Sequence, residues 1–526
     1  MSKIVFINPA PGKMAKGGNY HSTILESISK RTYSYIPNLC GLILAALTPD
    51  KHTFVYLDEE IEDIDYDEPV DLVAITAMSF QANRAYQISS EFKKRGVTVV
   101  MGGIHASIAC EETLEHCDAI AVGEGENSWP ALLEDFENGV LKRQYRAGDY
   151  PPVETLVSPR YDILKHEHYL AYPIQATRGC PYSCDFCSIK HASGHRYRMR
   201  DIKDVINDIK EAEKYNGGNV AGVEKKAYFF VDDNLYVNRE YNKALFAAMA
   251  ELSIVWDGQG TVNTARDEEV VKLMAASGCR SFNFGFESVS AESLKEANKP
   301  KINVVEEYNA VIDNLQKYGI AAGGFFIMGF DGDEVTVFRE TLEFIKEFNL
   351  FQAGISVLTP YPGTELYKRI DGEGRIFNRD WMKYNSWNCV FTPKRMSPEE
   401  LQMGFEWLVV QVTSLEHVRE VTRRFWENAS QSSKPTLRLI ERLAIILVAA
   451  FKIRGKAYKP HRKFLYWAAR HPKASDFRFI FWTALRNEFT SKISGHADPA
   501  ELRLKNQAES GARLGNDGQT RTRTTA

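Results

Sequence analysis

Arg178-Gly179-Cys180-Pro181-Tyr182-Ser183-Cys184-Asp185-Phe186-Cys187 is the stretch on which the reading of this chain turns. Its cysteines follow a Cys-x3-Cys-x2-Cys spacing. Soft thiolates suit an iron–sulfur cubane, which four cysteines normally hold. Three thiolates in one short loop leave one iron without a protein ligand. That open iron can chelate a small molecule and pass it an electron. A structural zinc site is the competing reading, because His191 and His195 follow closely. Zinc normally takes four ligands, often as two separated pairs.

Downstream of this loop the chain reads as a barrel. The loop follows the strand-like run Pro173–Thr177. Further strand candidates are Ala227–Val231, Val255–Gly260, Ser281–Phe286, Gly323–Met328 and Ala353–Leu358. Six strands separated by helical patterns predict a partial (β/α)6 barrel, which carries its chemistry at the C-terminal strand ends. Polar or glycine-bearing segments stand at those ends: Asp232-Asp233-Asn234, Gly285-Phe286-Glu287-Ser288, Gly324 to Gly329, and Pro360-Tyr361-Pro362. Arg198 and Arg200 follow the cysteine loop, where carboxylates are their expected partners.

On these motifs, residues 170–390 resemble the radical S-adenosylmethionine superfamily. The resemblance implies that Cys180, Cys184 and Cys187 hold a [4Fe–4S] cluster whose open iron binds the amino and carboxylate groups of S-adenosylmethionine. One-electron reduction then yields a 5′-deoxyadenosyl radical. The resemblance puts Phe186 beside the adenine, Asp233 in the segment that meets the methionine amino group, and Glu287 in a Gly-x-Glu-Ser segment. It puts Gly329 in a glycine segment that contacts adenine, and Arg198 among the cofactor-binding residues. An external electron donor such as flavodoxin or ferredoxin is implied as a partner.

The first part of the chain alternates short apolar strands with helical segments. Strand candidates are Ile4–Ile7, Thr53–Leu57, Leu72–Ile75, Val97–Met101 and Ala119–Val122, and helix candidates are Cys40–Leu47, Ala85–Arg95 and Trp129–Phe136. This predicts a parallel, Rossmann-like α/β sheet, and such sheets bind ligands at their strand ends. The segment Val73 to Ser79, the Gly102-Gly103-Ile104-His105 turn and Gly123-Glu124-Gly125 resemble the cobalamin-binding domain of one radical S-adenosylmethionine subfamily. That implies cobalamin contacts at Ser79, Gly102, Gly103, His105, Gly123 and Gly125. Glycines there let a large cofactor approach the backbone. The Asp-x-His-x-x-Gly loop that supplies a cobalt-ligating histidine in methionine synthase is missing after the first strand, where the chain reads Asn8-Pro9-Ala10-Pro11-Gly12. His105 is read as contacting the cofactor tail or backbone rather than ligating cobalt.

The expected organisation is a cobalamin-binding-like domain over 1–140, a linker over 141–170, the barrel over 171–390, a helical region over 391–494 and a disordered tail over 495–526. Pro151, Pro152 and Pro159 mark the linker. Ser397 and Pro398 mark a helix start. Residues 434–492 are basic and aromatic, with Lys463, Arg470, Phe464, Tyr466 and Trp467 among them. They read equally as a solvated helical cap on the barrel or as a layer touching a membrane surface. This region weakly resembles the extension of radical enzymes that act on hopanoids and other polyisoprenoid lipids.

Composition constrains the rest. The chain has 526 residues, 44% hydrophobic and 25% charged, with a net charge of −4. That balance argues against a nucleic-acid partner. Of the 8 cysteines, those outside the loop are scattered, which fits reduced thiols in a cytoplasm. No signal peptide is expected from the first residues, and Leu443–Phe451 is too short to cross a bilayer. A cytoplasmic protein, with peripheral membrane contact through 434–492, is the expectation.

Together these readings predict a cobalamin-dependent radical enzyme that methylates an unactivated carbon of a hydrophobic, lipid- or isoprenoid-like substrate. A radical cyclase or C–C bond-forming enzyme of the same architecture is one alternative. A non-enzymatic corrinoid- or zinc-binding protein is another. A methylthiolating enzyme for transfer RNA fits poorly, because Cys40, Cys110 and Cys117 are too dispersed for a second cluster.

Overall fold

The computed structural model describes residues 1–10, 36–146, 150–151, 156–169, 171–215, 227–299 and 302–414, and beyond them 416–417, 420–421 and 423–424. The basic, aromatic stretch 434–492 and the expected tail 495–526 lie outside the described residues.

The first sheet contains β1 (Lys3–Asn8), β2 (Thr53–Asp58), β3 (Leu72–Thr76), β4 (Thr98–Gly102), β5 (Ala119–Val122) and β6 (Gln144–Arg146), in the order β2-β1-β3-β4-β5-β6. Every pairing is parallel. The strands are apolar on both faces because helices cover both. Ile4, Phe6, Leu72, Ala74 and Val100 pack with Leu42, Leu44, Trp129 and Leu132 on one face. Val5, Ile7, Val73, Ile75, Val99 and Met101 pack with Ala85, Ile88 and Phe92 on the other. The strand order turns back at β1 and β3, so the C-terminal ends of these strands border a topological switch point.

β6 departs from the expected linker. Tyr145 is buried, and its hydroxyl donates to Asp135 Oδ2 at 2.9 Å. One aromatic anchor between two exposed polar residues suffices to add an edge strand.

The second sheet contains β7 (Ala171–Ile174), β10 (Ala227–Phe230), β11 (Trp256–Gly260), β12 (Cys279–Glu287), β13 (Ala321–Met328) and β14 (Gln352–Val357), in the order β14-β13-β12-β11-β10-β7. All pairs are parallel, and β7 and β14 form the two edges, as in a partial barrel. Phe282, Phe284 and Phe286 alternate along β12 and are fully buried. Phe286 packs on Phe326, Tyr308 and Phe344. The expected first barrel strand, Pro173–Thr177, is split in two. β7 ends at Ile174, and β8 (Thr177–Arg178) pairs antiparallel with β9 (Arg198–Met199). Asp232 causes the break: its carboxylate accepts from the backbone N–H of Ala176 and Thr177, at 3.2 and 2.5 Å, where a strand neighbour would otherwise stand.

One apolar cluster runs from Phe6 and Leu42 through Tyr161, Tyr169 and Tyr172 into the barrel core, so the two sheets share a continuous interior. The helix Pro398–Thr413 begins in a capping box between Ser397 and Glu400. Among the described residues, no helix is long and apolar enough to cross a membrane.

Candidate active site

The cysteine loop is held through its own backbone by three separate parts of the barrel. Gly179 precedes Cys180 with φ of 79°, a left-handed conformation that glycine adopts without strain. Its N–H donates to Asp233 Oδ2 at 3.0 Å. Asn298 Nδ2 donates to the carbonyl of Ser183 at 2.8 Å, and the N–H of Leu366 donates to the carbonyl of Asp185 at 3.0 Å. The loop is thus pinned from the end of β10, from the residues just after the helix Ala291–Glu296 and from the helix Glu365–Gly372.

Burial pushes the Cys184 thiol up to about 12 and Cys187 up to about 11, with each feeling the charge of Cys180. Lys299 opposes that rise at all three thiols. Iron must therefore displace the thiol protons as it binds. Among the described residues, no group of three or more His, Cys, Asp or Glu side chains is arranged to hold a metal ion. A cubane asks for something else: three soft thiolates, each on its own iron. The donor set fits such a cluster.

The residues expected around the loop are brought together there. Glu287 ends β12 with φ of 63°, and its carboxylate accepts from Lys299 Nζ at 2.5 Å. Both side chains are buried. Burial alone would lower Lys299, but the Glu287 carboxylate, with Cys184 and Cys187 adding to it, outweighs it and raises the ammonium to about 12. Lys299 Nζ also stands 6.0 Å from the Phe186 ring centroid. Phe186 meets Phe330 edge-to-face at 6.3 Å, which puts it beside the Gly329 turn. Gly329 has φ of 106°, and its N–H and that of Phe330 both donate to Asp333 Oδ2, at 2.9 and 3.0 Å.

The strand ends of the first sheet form a second, glycine-lined cradle. Gly103 has φ of 88°, and a Cβ there would stand 2.7 Å from Thr76 Oγ1 and 3.0 Å from the Ala77 backbone. Gly102 ends β4, and Gly123 turns at the end of β5 with φ of 83° and open space around it. Gly125 starts the helix Gly125–Glu137, close against Leu44. The Ser79 hydroxyl and His105 Nδ1 are buried without a hydrogen-bond partner. A buried orphan oxygen and nitrogen beside backbone that admits no side chain fit a large cofactor with polar arms. His105 is fully buried, and its Nε2 meets the Tyr86 hydroxyl at 2.7 Å.

Arg198 and Arg200 do meet carboxylates, but those of the protein. Arg198 Nη1 lies 3.0 Å from Glu124 Oε2, and its other donors reach the carbonyls of Pro151 and Ser193. The antiparallel β8–β9 pair turns the guanidinium toward the first sheet. Arg200 pairs with Asp208 at 2.5 Å.

Sequence reasoning passed over Lys299, Asp333 and the carboxylate of Glu124. Glu124 lies within a quoted motif in which only the glycines drew notice. Lys299 and Asp333 sit in ordinary polar surroundings along the chain, and no local signal marks them.

Comparison with known proteins agrees with this geometry. The radical SAM superfamily matches residues 174–375, and the B12 binding domain matches residues 41–133. The chain is 34% identical over 368 residues to the bacteriochlorophyllide d C-8(2)-methyltransferase of Chlorobaculum tepidum, covering 68% of this chain and 81% of that protein. It is 24% identical over 527 residues to the anaerobic magnesium-protoporphyrin IX monomethyl ester cyclase of Rubrivivax gelatinosus, covering 91% of this chain and 87% of that one. The fold is shared with the radical S-adenosylmethionine methyltransferase TsrM of Kitasatospora setae, solved with cobalamin and a [4Fe–4S] cluster bound. There the TM-score is 0.61 at 16% identity, over 89% of this chain and 99% of that one. The chain belongs to the cobalamin-dependent radical S-adenosylmethionine methyltransferases, enzymes whose cofactors are a [4Fe–4S] cluster, S-adenosylmethionine and cobalamin.

Proposed function

We propose that this enzyme methylates an unactivated carbon of a large hydrophobic substrate, with Cys180, Cys184 and Cys187 holding the cluster and the ends of β3, β4 and β5 holding cobalamin. When bound, the cofactors supply a carbon-centred radical and a methyl group. The observation that carries the reading is the meeting of the two cradles: the three-thiol loop and the glycine-lined strand ends touch through Glu124, Arg178 and Arg198. Lys299 and Glu287 give the cluster side a buried ion pair able to orient a zwitterionic amino acid group. Phe186 and the Gly329 turn offer an aromatic face beside a glycine turn for a purine. Ser79 and His105 offer unpaired polar atoms to the cobalamin arms.

The relative acting on bacteriochlorophyllide d supports a tetrapyrrole as the hydrophobic substrate. A polyisoprenoid lipid is the second pool, supported by the basic, aromatic composition of 434–492, which also supports membrane contact from the cytoplasmic side. A small acidic flavodoxin or ferredoxin supplies the electron. The test is anaerobic reconstitution with iron, sulfide and cobalt analysis, followed by turnover on bacteriochlorophyllide d and on a hopanoid extract. A cluster and a corrinoid in the parent protein, cluster loss in the Cys180/Cys184/Cys187→Ala variant, and a product heavier by one methylene unit bear the reading out. Zinc without iron, or no corrinoid, sinks it.

One observation favours a second reading. The cyclase relative aligns along 91% of the chain, further than the methyltransferase relative. A product formed without gain of a methylene unit would select ring formation.

A further inference from the structure

We infer that Glu124 is a positioning residue that sets the separation between the cluster side and the cobalamin side of the molecule. The inference rests on the cofactor assignment proposed above. Glu124 lies between β5 and the helix Gly125–Glu137, and its side chain is 7% exposed. Facing it are two arginines at paired positions of the β8–β9 ribbon, Arg178 opposite Arg198. Oε2 accepts from Arg178 Nη1 at 3.1 Å and from Arg198 Nη1 at 3.0 Å. Oε1 accepts from Arg198 Nη2. Glu126 completes the group, with Oε1 2.6 Å from Arg178 Nη2. Two cations and two anions, each with a side chain no more than 9% exposed, thus form a neutral buried quartet across the sheets.

Such a group is a poor source of net stability, because desolvation offsets the attraction. Its effect is directional: a planar fork locked to a carboxylate fixes distance and angle together. Each side of the quartet is joined tightly to one cofactor loop. Arg178 leads through a single residue, Gly179, to Cys180. Gly179 has no slack, since a Cβ there would stand 2.5 Å from the Arg196 carbonyl. On the other side, Glu124 is flanked by Gly123 and Gly125. A Cβ at Gly123 would meet nothing within 4 Å, so packing does not fix the loop there. Its N–H is held by the Ser107 hydroxyl at 3.0 Å, and the Glu124 carboxylate provides the contact to the barrel. Chemistry that passes between two separately bound groups depends steeply on their mutual placement.

The decisive measurement is the distance between two paramagnets in the full-length holoenzyme, the reduced cluster and the cobalt(II) of bound cobalamin, read by pulsed electron paramagnetic resonance. A single narrow distance is expected in the parent. Glu124→Gln, which keeps the shape and removes the charge, is expected to keep its iron and cobalt while the distribution broadens and shifts. An unchanged distribution in the loaded variant overturns the inference. Should Glu124→Gln not fold, Arg198→Lys keeps the charge and removes the fork, and the same two outcomes apply. If the parent binds no cobalamin, the cofactor assignment fails by itself. Hydrogen exchange of segments 119–126 and 176–180 then reads the coupling directly. Faster exchange in both segments of the variant supports the inference, and unchanged exchange overturns it.

Discussion

Trp381 Nε1 donates to Glu112 Oε1 at 2.6 Å, joining positions 269 residues apart. The same oxygen accepts from the Tyr86 hydroxyl at 3.2 Å, and the Trp381 ring stands edge-on to His105 at 4.9 Å. Asp380 beside it accepts from Asn83 Nδ2 at 2.8 Å. The segment that follows the barrel is therefore strapped onto the first sheet directly outside His105. Trp381→Phe keeps most of the apolar contact and removes the donor, so it should cost about 1 kcal/mol. Trp381→Ala also removes the ring and should cost about 3 kcal/mol. Urea unfolding of the two variants checks the order, and equal stability in all three proteins would show that the strap carries no load.

Stability should fall as the solution is acidified, and His105 should supply part of the fall. Burial, with the neighbouring His116 charge added, lowers its imidazole from 6.5 to about 4. The groups facing it are Tyr86, Glu112, His116 and Trp381. Between pH 4 and 6.5 the unfolded chain takes up the proton more readily than the folded one. The stabilisation is thus complete above about pH 6.5 and is lost as pH drops toward 4, by about 3 kcal/mol at most. His417, also lowered to about 4 by burial, acts in the same window. The measurement is accordingly the difference between parent and His105→Asn in thermal midpoint across pH 4 to 7. Parallel profiles would remove His105 from the account.

Gly103→Ala should damage the glycine-lined cradle of the first sheet more than any neighbouring substitution. Its φ of 88° strains an L residue, and the new methyl would press on Thr76 Oγ1 and on the Ala77 backbone, which cannot yield as a side-chain tip can. A loss of about 2 kcal/mol is expected from the two effects together. If the cobalamin assignment is right, the cobalt-to-protein ratio after reconstitution falls as well. Gly123→Ala has the same backbone strain and free space for the methyl, so it separates strain from collision.

Asp333→Ala should loosen the Gly329 turn. The carboxylate is 2% exposed and accepts from Gly329, Phe330 and the Ser293 hydroxyl, the last at 2.6 Å. Removing it leaves three buried donors unpaired, at a cost of roughly 3 kcal/mol. Calorimetric titration should also show weaker S-adenosylmethionine binding. Full affinity with reduced stability would limit Asp333 to the fold.

Much of the architecture is written locally. The spacing of Cys180, Cys184 and Cys187 is covalent and needs no structure to be seen. A short continuous apolar run at Leu72–Thr76 marks a strand covered on both faces, and alternation along Cys279–Glu287 marks another, because a pleated backbone sends successive side chains to opposite faces. Ser397, Pro398 and Glu400 announce a helix start because the cap bonds within one turn. The two-sheet order and the six barrel strands followed from such signals.

What the tertiary structure alone decided are the contacts with no local signature. Gln144–Arg146 reads as loop because only Tyr145 is apolar, and its burial depends on Asp135 and an available sheet edge. The first barrel strand breaks after Ile174 because the Asp232 carboxylate, over fifty residues away, takes the hydrogen bonds of the Ala176 and Thr177 N–H groups. Arg198 meets Glu124 because the β8–β9 pairing aims it there, across 74 positions. Periodicity and spacing are properties of neighbouring residues along the chain. The partners of a buried charge are set by which strand ends the fold brings to the same place.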